Sequence, residues 1–146
     1  MIEQTKKKYK KPELVSPAGS LDKLKTAIEY GADAVYAGGK DFSLRNSAAN
    51  FTLDEIGSAV EYVHERGKKL YITLNIFAHN CHTSRMEQYL KELAEHPVDA
   101  VIIADPGVLS LVRDIMPDTA CHISTQANCT NTRAADFWYK QGVKRV

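Results

Sequence analysis

The stretch that decides the fold runs from Leu70 to Pro117, LYITLNIFAHNCHTSRMEQYLKELAEHPVDAVIIADPGVLSLVRDIMP. It opens with Leu70-Tyr71-Ile72-Thr73-Leu74-Asn75-Ile76, rich in β-branched and aromatic side chains, which predicts a strand. Met86, Leu90 and Leu93 then fall three or four apart and predict a helix that must stop before Pro97. Val101-Ile102-Ile103 is a short, wholly apolar run, as in a strand buried on both faces. Asp105-Pro106 predicts a second helix start, with Asp as N-cap and Pro at the first helical position, followed by Leu109, Val112 and Ile115. Strand, helix, strand, helix with no hairpin signal implies parallel strands joined by right-handed crossovers.

The same alternation extends both ways. Upstream, Glu13-Leu14-Val15-Ser16 predicts a first strand, and Ser20 caps a helix with the stripe Leu21, Leu24 and Ile28, stopped by Gly31. Ala34-Val35-Tyr36-Ala37 is a second strand closed by Gly38-Gly39, and Thr52 with Glu55 forms a capping box before Leu53, Ile56, Val60 and Val63. Downstream, His122-Ile123-Ser124 predicts a fifth strand, and Ala134, Ala135 and Trp138 a fifth helix closed by Gly142. Val143 to Val146 begins a sixth strand. An open doubly wound sheet and an eight-stranded barrel both fit such a chain. Strand starts recur roughly every 26 residues, and eight such units approach the ~250 residues typical of the barrel. The expected fold is therefore α/β: the N-terminal portion of a parallel (β/α) barrel of TIM type, with about six strands and five helices, not closed. Residues 1–12 read as a basic flexible leader, and 13–146 as one domain truncated in its sixth strand. Produced alone, such a piece is expected to be marginally stable or self-associated, because six parallel strands leave two unpaired edges.

Composition excludes several classes. Of 146 residues, 44% are hydrophobic and 25% charged, the make-up of a soluble globular domain rather than a disordered or collagenous chain. The longest apolar stretch, Ala100 to Ala104, is far below the ~20 residues a spanning helix needs. Cys81, Cys121 and Cys129 form no CxxC pair, so a disulfide framework is not expected and a reducing cytoplasm fits. Net charge is +1, yet Lys6, Lys7, Lys8, Lys10 and Lys11 against Glu3 give the leader +4 and leave the body at −3. A basic leader serves either as a solvated terminus or as a contact for nucleic-acid phosphates.

In a parallel barrel, chemistry gathers at the carboxyl ends of the strands. Those ends carry Ser16; Gly38-Gly39 with Arg45, Asn46 and Asn50; Asn75, His79, Asn80, Cys81 and His82; Asp105; and Ser124, Gln126 and Asn128. His122, Ser124 and Gln126 share one face at period two, and Asn75 shares its face with Thr73 and Tyr71, so the interior carries polar groups that need partners or a ligand. His79, Asp105 and Ser124 are the candidate catalytic residues; Arg45, Asn75, Gln126 and Asn128 are the candidate substrate-binding residues. Ser16 or Ser124 could act as nucleophile with His79 as base and Asp105 as orienter. Asp105 also has the simpler role of capping the helix begun by Pro106. Arg45 can hold a carboxylate or phosphate in bidentate fashion, or sit as a surface cation. Gly38-Gly39 matches neither GxGxxG nor a phosphate loop. His79-Asn80-Cys81-His82 has metal-capable residue types, but neither CxxC nor HExxH is present, and no metal site is assigned.

Several segments together resemble a known family. ELVSPAG (13–19), YGADAVYAGGKDFSLR (30–45), the Asn75–Asn80 stretch, IIADPG (102–107), HISTQANCTN (122–131) and FWYKQGVKRV (137–146) are similar, in order and spacing, to the collagenase-like peptidases of peptidase family U32. The SLR and HISTQANCTN matches are most similar to the tRNA-hydroxylating branch. The resemblance implies a barrel-like N-terminal domain. It also implies oxygen-independent hydroxylation of a tRNA wobble uridine, with prephenate as a small carboxylated hydroxyl donor. In other members it implies action on a ribosomal RNA cytidine or a ubiquinone precursor, and in name proteolysis of collagen or gelatin. It further implies an iron–sulfur cluster held by four cysteines that lie beyond residue 146, so no cofactor is expected within this chain. The expected partners are tRNA at the basic leader, the carboxylated donor, and a partner subunit or self-association if the chain is a non-catalytic half-barrel; no membrane is expected. The dipeptide Cys81-His82 departs from the acidic or polar residues usual there.

Overall fold

A computed structural model describes residues 11–44 and 50–146. Five strands, β1 (Val15–Ala18), β2 (Ala34–Gly38), β3 (Lys69–Leu74), β4 (Ala100–Ile103) and β5 (Ala120–Ile123), alternate with five helices. These are α1 (Leu21–Glu29), α2 (Leu53–His64), α3 (Asn80–Leu93), α4 (Pro106–Ile115) and α5 (Thr132–Lys140). The helix starts follow the side chains that stop the backbone N–H groups from going unpaired. Ser20 accepts from Lys23 N, Asp105 Oδ1 from Val108 N at 3.0 Å, and Asn131 Oδ1 from Ala134 N at 3.0 Å. The Thr52–Glu55 capping box is reciprocal, with Thr52 N donating to Glu55 Oε2 at 2.8 Å and Glu55 N to Thr52 Oγ1 at 3.1 Å.

All strands pair in parallel, in the order β1-β2-β3-β4-β5. Sequential order decides between the two candidate architectures, because a doubly wound sheet reverses its strand order and carries helices on both faces. Here one face, with Val35, Ala37, Leu70, Ile72, Leu74, Val101, Ile103 and Cys121, packs against Leu24, Ile28, Ile56, Val60, Met86, Leu90, Val112 and Trp138 of all five helices. The opposite face holds a smaller cluster of strand residues alone, Ala34, Tyr71 and Ala100 with Val15, Tyr36, Ile102 and Ala120. This is an arc of a barrel wall, helices outside and an unclosed inner face.

Register stacks that inner face in layers. Pro17, Tyr36, Tyr71, Ala100 and Ala120 lie side by side, and Gly38, Thr73, Ile102 and His122 form the next layer toward the carboxyl ends. Several boundaries differ from the sequence expectation, among them β3, which ends at Leu74 rather than Ile76. β1 begins and ends two residues later and includes Pro17, tolerated because β1 is at the edge of the described sheet. The expected sixth strand is a single parallel bridge, His122 to Arg145, with Ile123 N donating to Arg145 O at 2.8 Å and Lys144 N to Cys121 O at 2.9 Å. β5 stops at Ile123, so Gln126 does not continue the strand's alternation. After Ser124 N donates to Ile103 O at 2.7 Å, the chain turns into a 3₁₀ segment over Thr125–Ala127, closed by Asn128 in the left-handed region (φ 50°). No helix of the described residues is long and apolar enough to cross a membrane.

Two start-of-strand clamps repeat one local geometry. Asp33, just before β2, donates its N–H to Leu14 O at 2.8 Å and accepts Leu14 N at Oδ2 at 3.0 Å. Asp99, just before β4, donates to Leu70 O at 3.0 Å and accepts Leu70 N at Oδ2 at 2.9 Å. Each carboxylate thus fixes the register of the preceding strand at its amino end.

Candidate functional site

The carboxyl ends of β2, β3 and β5 bring together side chains from three separate parts of the sequence. A pocket of about 280 Å³ is lined by Val15, Tyr36, Ser43, Thr73, Asn75, Ile102, Ser124, Thr125 and Gln126. Ser43, Thr73, Asn75 and Ser124 are all buried, at 6–8% exposure. Buried polar groups of this kind must be satisfied, and they satisfy one another. Asn75 is the hub. Its Oδ1 accepts the Leu44 backbone N–H at 3.2 Å, and its Nδ2 donates to Ser124 Oγ and to Gln126 Oε1, each at 3.1 Å. The Ser124 hydroxyl in turn donates to Gln126 Oε1. A second pair, Ser43 Oγ and Thr73 Oγ1 at 2.9 Å, is anchored by the Thr73 hydroxyl donating to Ala37 O at 3.2 Å.

The glycine pair at the end of β2 makes room for this arrangement. A Cβ on Gly38 would lie 2.6 Å from Ser43 Oγ, and one on Gly39 would lie 2.2 Å from Tyr89 Oη. The dipeptide is thus a packing device: Gly38 admits the pocket hydroxyl, and Gly39 the tip of a tyrosine from α3. The loop that follows β2 returns to the sheet at Phe51, whose N donates to Gly38 O at 2.9 Å while Lys40 N donates to Phe51 O at 2.9 Å. Arg45 lies outside the described residues.

His79 and Asp105 occupy a neighbouring hollow of about 350 Å³ between the starts of α3 and α4, with His82, Thr83, Met86, Ser110 and Leu111. Asp105 caps α4 there. His79 is the N-cap of α3; its backbone N–H donates to His82 Nδ1 at 3.0 Å, and the two imidazoles lie 5.7 Å apart. The sequence-predicted residues thus divide. Asn75, Ser124 and Gln126 converge on one pocket, whereas His79 and Asp105 share another. Asn128 is exposed on the turn beyond Gln126. The Ser124 hydroxyl is engaged by two carboxamides. Sequence reasoning missed Ser43, whose partner Thr73 is 30 residues away. The signals were the SLR match, which Ser43 opens, and Gly38, since a glycine at a strand end marks a close approach.

The amino end of the same inner face is charged. Glu13 accepts from Lys69 Nζ at 3.1 Å, from the Tyr71 hydroxyl at 2.9 and 3.0 Å, and from Arg145 Nη1 at 2.6 Å. Burial works to raise the Glu13 carboxyl, but those hydrogen bonds outweigh it and hold the group below its ordinary value. His122 stacks edge-on against Tyr71 at 4.8 Å between ring centres. Burial, with Arg145 adding to it, pushes the imidazole down to about 4, so His122 is neutral near pH 7. Burial also pushes the Cys121 thiol up. Cys81 is exposed, Cys121 buried in β5 and Cys129 half-buried beyond it, and no group of three or more His, Cys, Asp or Glu among the described residues could hold a metal ion. These thiols do not fit the four-cysteine ligand set of an iron–sulfur cluster.

The family model for peptidase family U32 matches residues 19–146. The chain belongs to peptidase family U32. This U32 chain is 47% identical over 137 residues to tRNA hydroxylation protein P1 of Bacillus subtilis, covering 94% of this chain and 32% of that protein. It is 49% identical over 135 residues to tRNA hydroxylation protein P of Helicobacter pylori, covering 92% and 32%. The chain thus spans about a third of the length of these curated relatives. The solved structure of the U32 peptidase Mk0906 superposes with a TM-score of 0.74 at 18% identity, covering 96% of this chain and 59% of that one. At that identity the superposition bears on the fold alone, and it agrees with an unclosed arc of a barrel.

Proposed function

We propose that this U32 chain serves in the hydroxylation of a tRNA wobble uridine, with its strand carboxyl ends forming part of the mouth where the base is received. One observation carries the reading: identity of 47–49% across more than nine-tenths of the chain to proteins named for tRNA hydroxylation. The inner face supports it, because the buried polar side chains gather at the carboxyl ends of the strands, where barrel chemistry is done.

In this reading prephenate supplies the hydroxyl group, and Arg45 holds one of its carboxylates in bidentate fashion. His79 and Asp105, which line the separate hollow between the starts of α3 and α4, carry the proton transfer in this reading. Gln126 and Asn75 position the acceptor base, with Ser124 linking them and Asn128 at the turn beside them. The lysines of the leader contact tRNA phosphates. The iron–sulfur cluster implied by the family resemblance finds no ligand set in this chain, and no step is assigned to it. A tRNA substrate puts the reaction in the cytoplasm.

The test is deletion of the gene followed by mass spectrometry of digested total tRNA. The proposal expects 5-hydroxyuridine derivatives to fall to background and to return on complementation. Undiminished derivatives in the deletion strain would end it.

A further inference from the structure

The pocket around Asn75 has a fixed hydrogen-bond polarity, and that polarity can be read from the backbone outward. The Leu44 N–H can only donate, so the Asn75 atom facing it is the carbonyl Oδ1. Asn75 Nδ2 therefore faces the other way, with one hydrogen for Ser124 Oγ and one for Gln126. Gln126 must answer with its carbonyl, and Ser124, already accepting from Asn75, donates its own proton to that carbonyl as well. Both lone pairs of Gln126 Oε1 are then occupied. The Gln126 Nε2 hydrogens are left as the group's outward donors.

The Ser43–Thr73 pair in the same pocket is fixed in the other sense. Ala37 O can only accept, so the Thr73 hydroxyl donates to it. Ser43 must therefore donate to Thr73 Oγ1, which leaves Ser43 Oγ with lone pairs only. All the side chains lining the pocket among the described residues are uncharged. The pocket thus offers a donor from a carboxamide, an acceptor from a hydroxyl, and apolar or aromatic walls from Val15, Tyr36 and Ile102.

We infer that this pocket reads the imide edge of a uracil-type base, with Gln126 Nε2 donating to the 4-oxo oxygen and Ser43 Oγ accepting from N3–H. Uracil presents acceptor then donor along that edge. Cytosine presents the reverse, an amino donor and a ring-nitrogen acceptor, and would set the Gln126 donor against a donor and the buried Ser43 acceptor against an acceptor. Gln126 and Ser43 are thus specificity-determining residues, and Asn75 is a positioning residue that sets the orientation of the Gln126 carboxamide. The inference rests on the reading that this mouth receives a tRNA base, because an enzyme acting on a base must draw it out of its stack and recognise its exposed edge.

The test is competition binding by the full protein encoded by the gene, using two anticodon stem-loop RNAs that differ only in uridine or cytidine at the wobble position. The wild type should prefer the uridine RNA by about ten-fold or more. Gln126→Glu replaces the outward donor by an acceptor and should erase that preference. Asn75→Asp removes the Nδ2 donor, lets the Gln126 carboxamide turn over and should erase it too. Circular dichroism and melting of both variants separate loss of preference from loss of fold. Equal binding of the two RNAs by the wild type, binding of neither, or a preference that survives in a folded Gln126→Glu variant would each overturn the inference. Failure of the hydroxylation reading is seen separately, as unchanged tRNA in the deletion strain.

Discussion

Asn75 and Ser124 stand 49 residues apart in sequence and meet through a 3.1 Å hydrogen bond at the carboxyl ends of β3 and β5. Asn75 finds its side-chain partners outside its own strand–loop unit, at Leu44 after β2 and at Ser124 and Gln126 after β5. The Asn75–Ser124 contact is formed only when the parallel strands between them are in register, so the pocket reports correct assembly of the wall. Through Leu44, the same carboxamide also ties down the loop after β2.

The glycine after β2 gives a sharp stability prediction. Gly39→Ala would place a methyl 2.2 Å from Tyr89 Oη and should cost about 1–3 kcal/mol by overpacking. The Tyr89 hydroxyl is buried with no hydrogen-bond partner among the described residues, and burial pushes its pKa far up. Tyr89→Phe should therefore be neutral or slightly stabilising, and it should recover part of the loss in the double variant. Denaturant unfolding of the four proteins checks this, through a coupling that independent sites would not show.

The strand-start clamps give a second. Asp99→Ala removes the acceptor of Leu70 N and of His64 Nε2 and should destabilise by roughly 1.5–3 kcal/mol, as expected for a hydrogen bond to a charged group. Asp33→Ala acts at the equivalent point of β1, where Lys68 also loses its partner at 3.1 Å. Hydrogen exchange should show the loss first at the amides of Leu70 and Leu14.

Much of the fold was legible because its signals are local. Thr52 and Glu55 are three residues apart, Asp105 adjoins Pro106, and the apolar stripes repeat within a helix turn. What stayed hidden depends on register between distant segments. Asp33 and Asp99 look like ordinary pre-strand acids until the neighbouring strand is in place, and Ser43 gains its meaning only beside Thr73. Period-two reasoning put Gln126 on the strand face with His122 and Ser124. The ladder ends at Ser124, and the 3₁₀ turn folds Gln126 back onto Ser124 and Asn75 instead. The site residues were thus found partly by composition of the strand ends, whereas their division into two hollows required coordinates.

The inner face also predicts acid sensitivity. The His122 imidazole is held at about 4 in the fold, below the ordinary value of 6.5. Between those values the unfolded chain takes up a proton that the folded one does not, so stability should fall as pH drops from 6.5 toward 4, by roughly 3 kcal/mol. Glu13 has a lowered carboxyl, so its contribution is present above its ordinary value of 4.5 and is lost as pH falls through the lowered one. His122→Phe should flatten the upper part of this profile and leave the lower part. Urea midpoints measured across pH 4–7 would show it; an unchanged slope in the variant would assign the acid limb elsewhere.

The proposal that the Asn75 pocket serves tRNA hydroxylation is tested in cells by a single chromosomal change. Gln126→Met keeps the length of a largely exposed side chain and removes both its carbonyl and its amide. 5-Hydroxyuridine derivatives in total tRNA should drop about ten-fold or more, with the protein still present at its normal level. Wild-type amounts of the modified nucleoside in that strain would contradict the proposal.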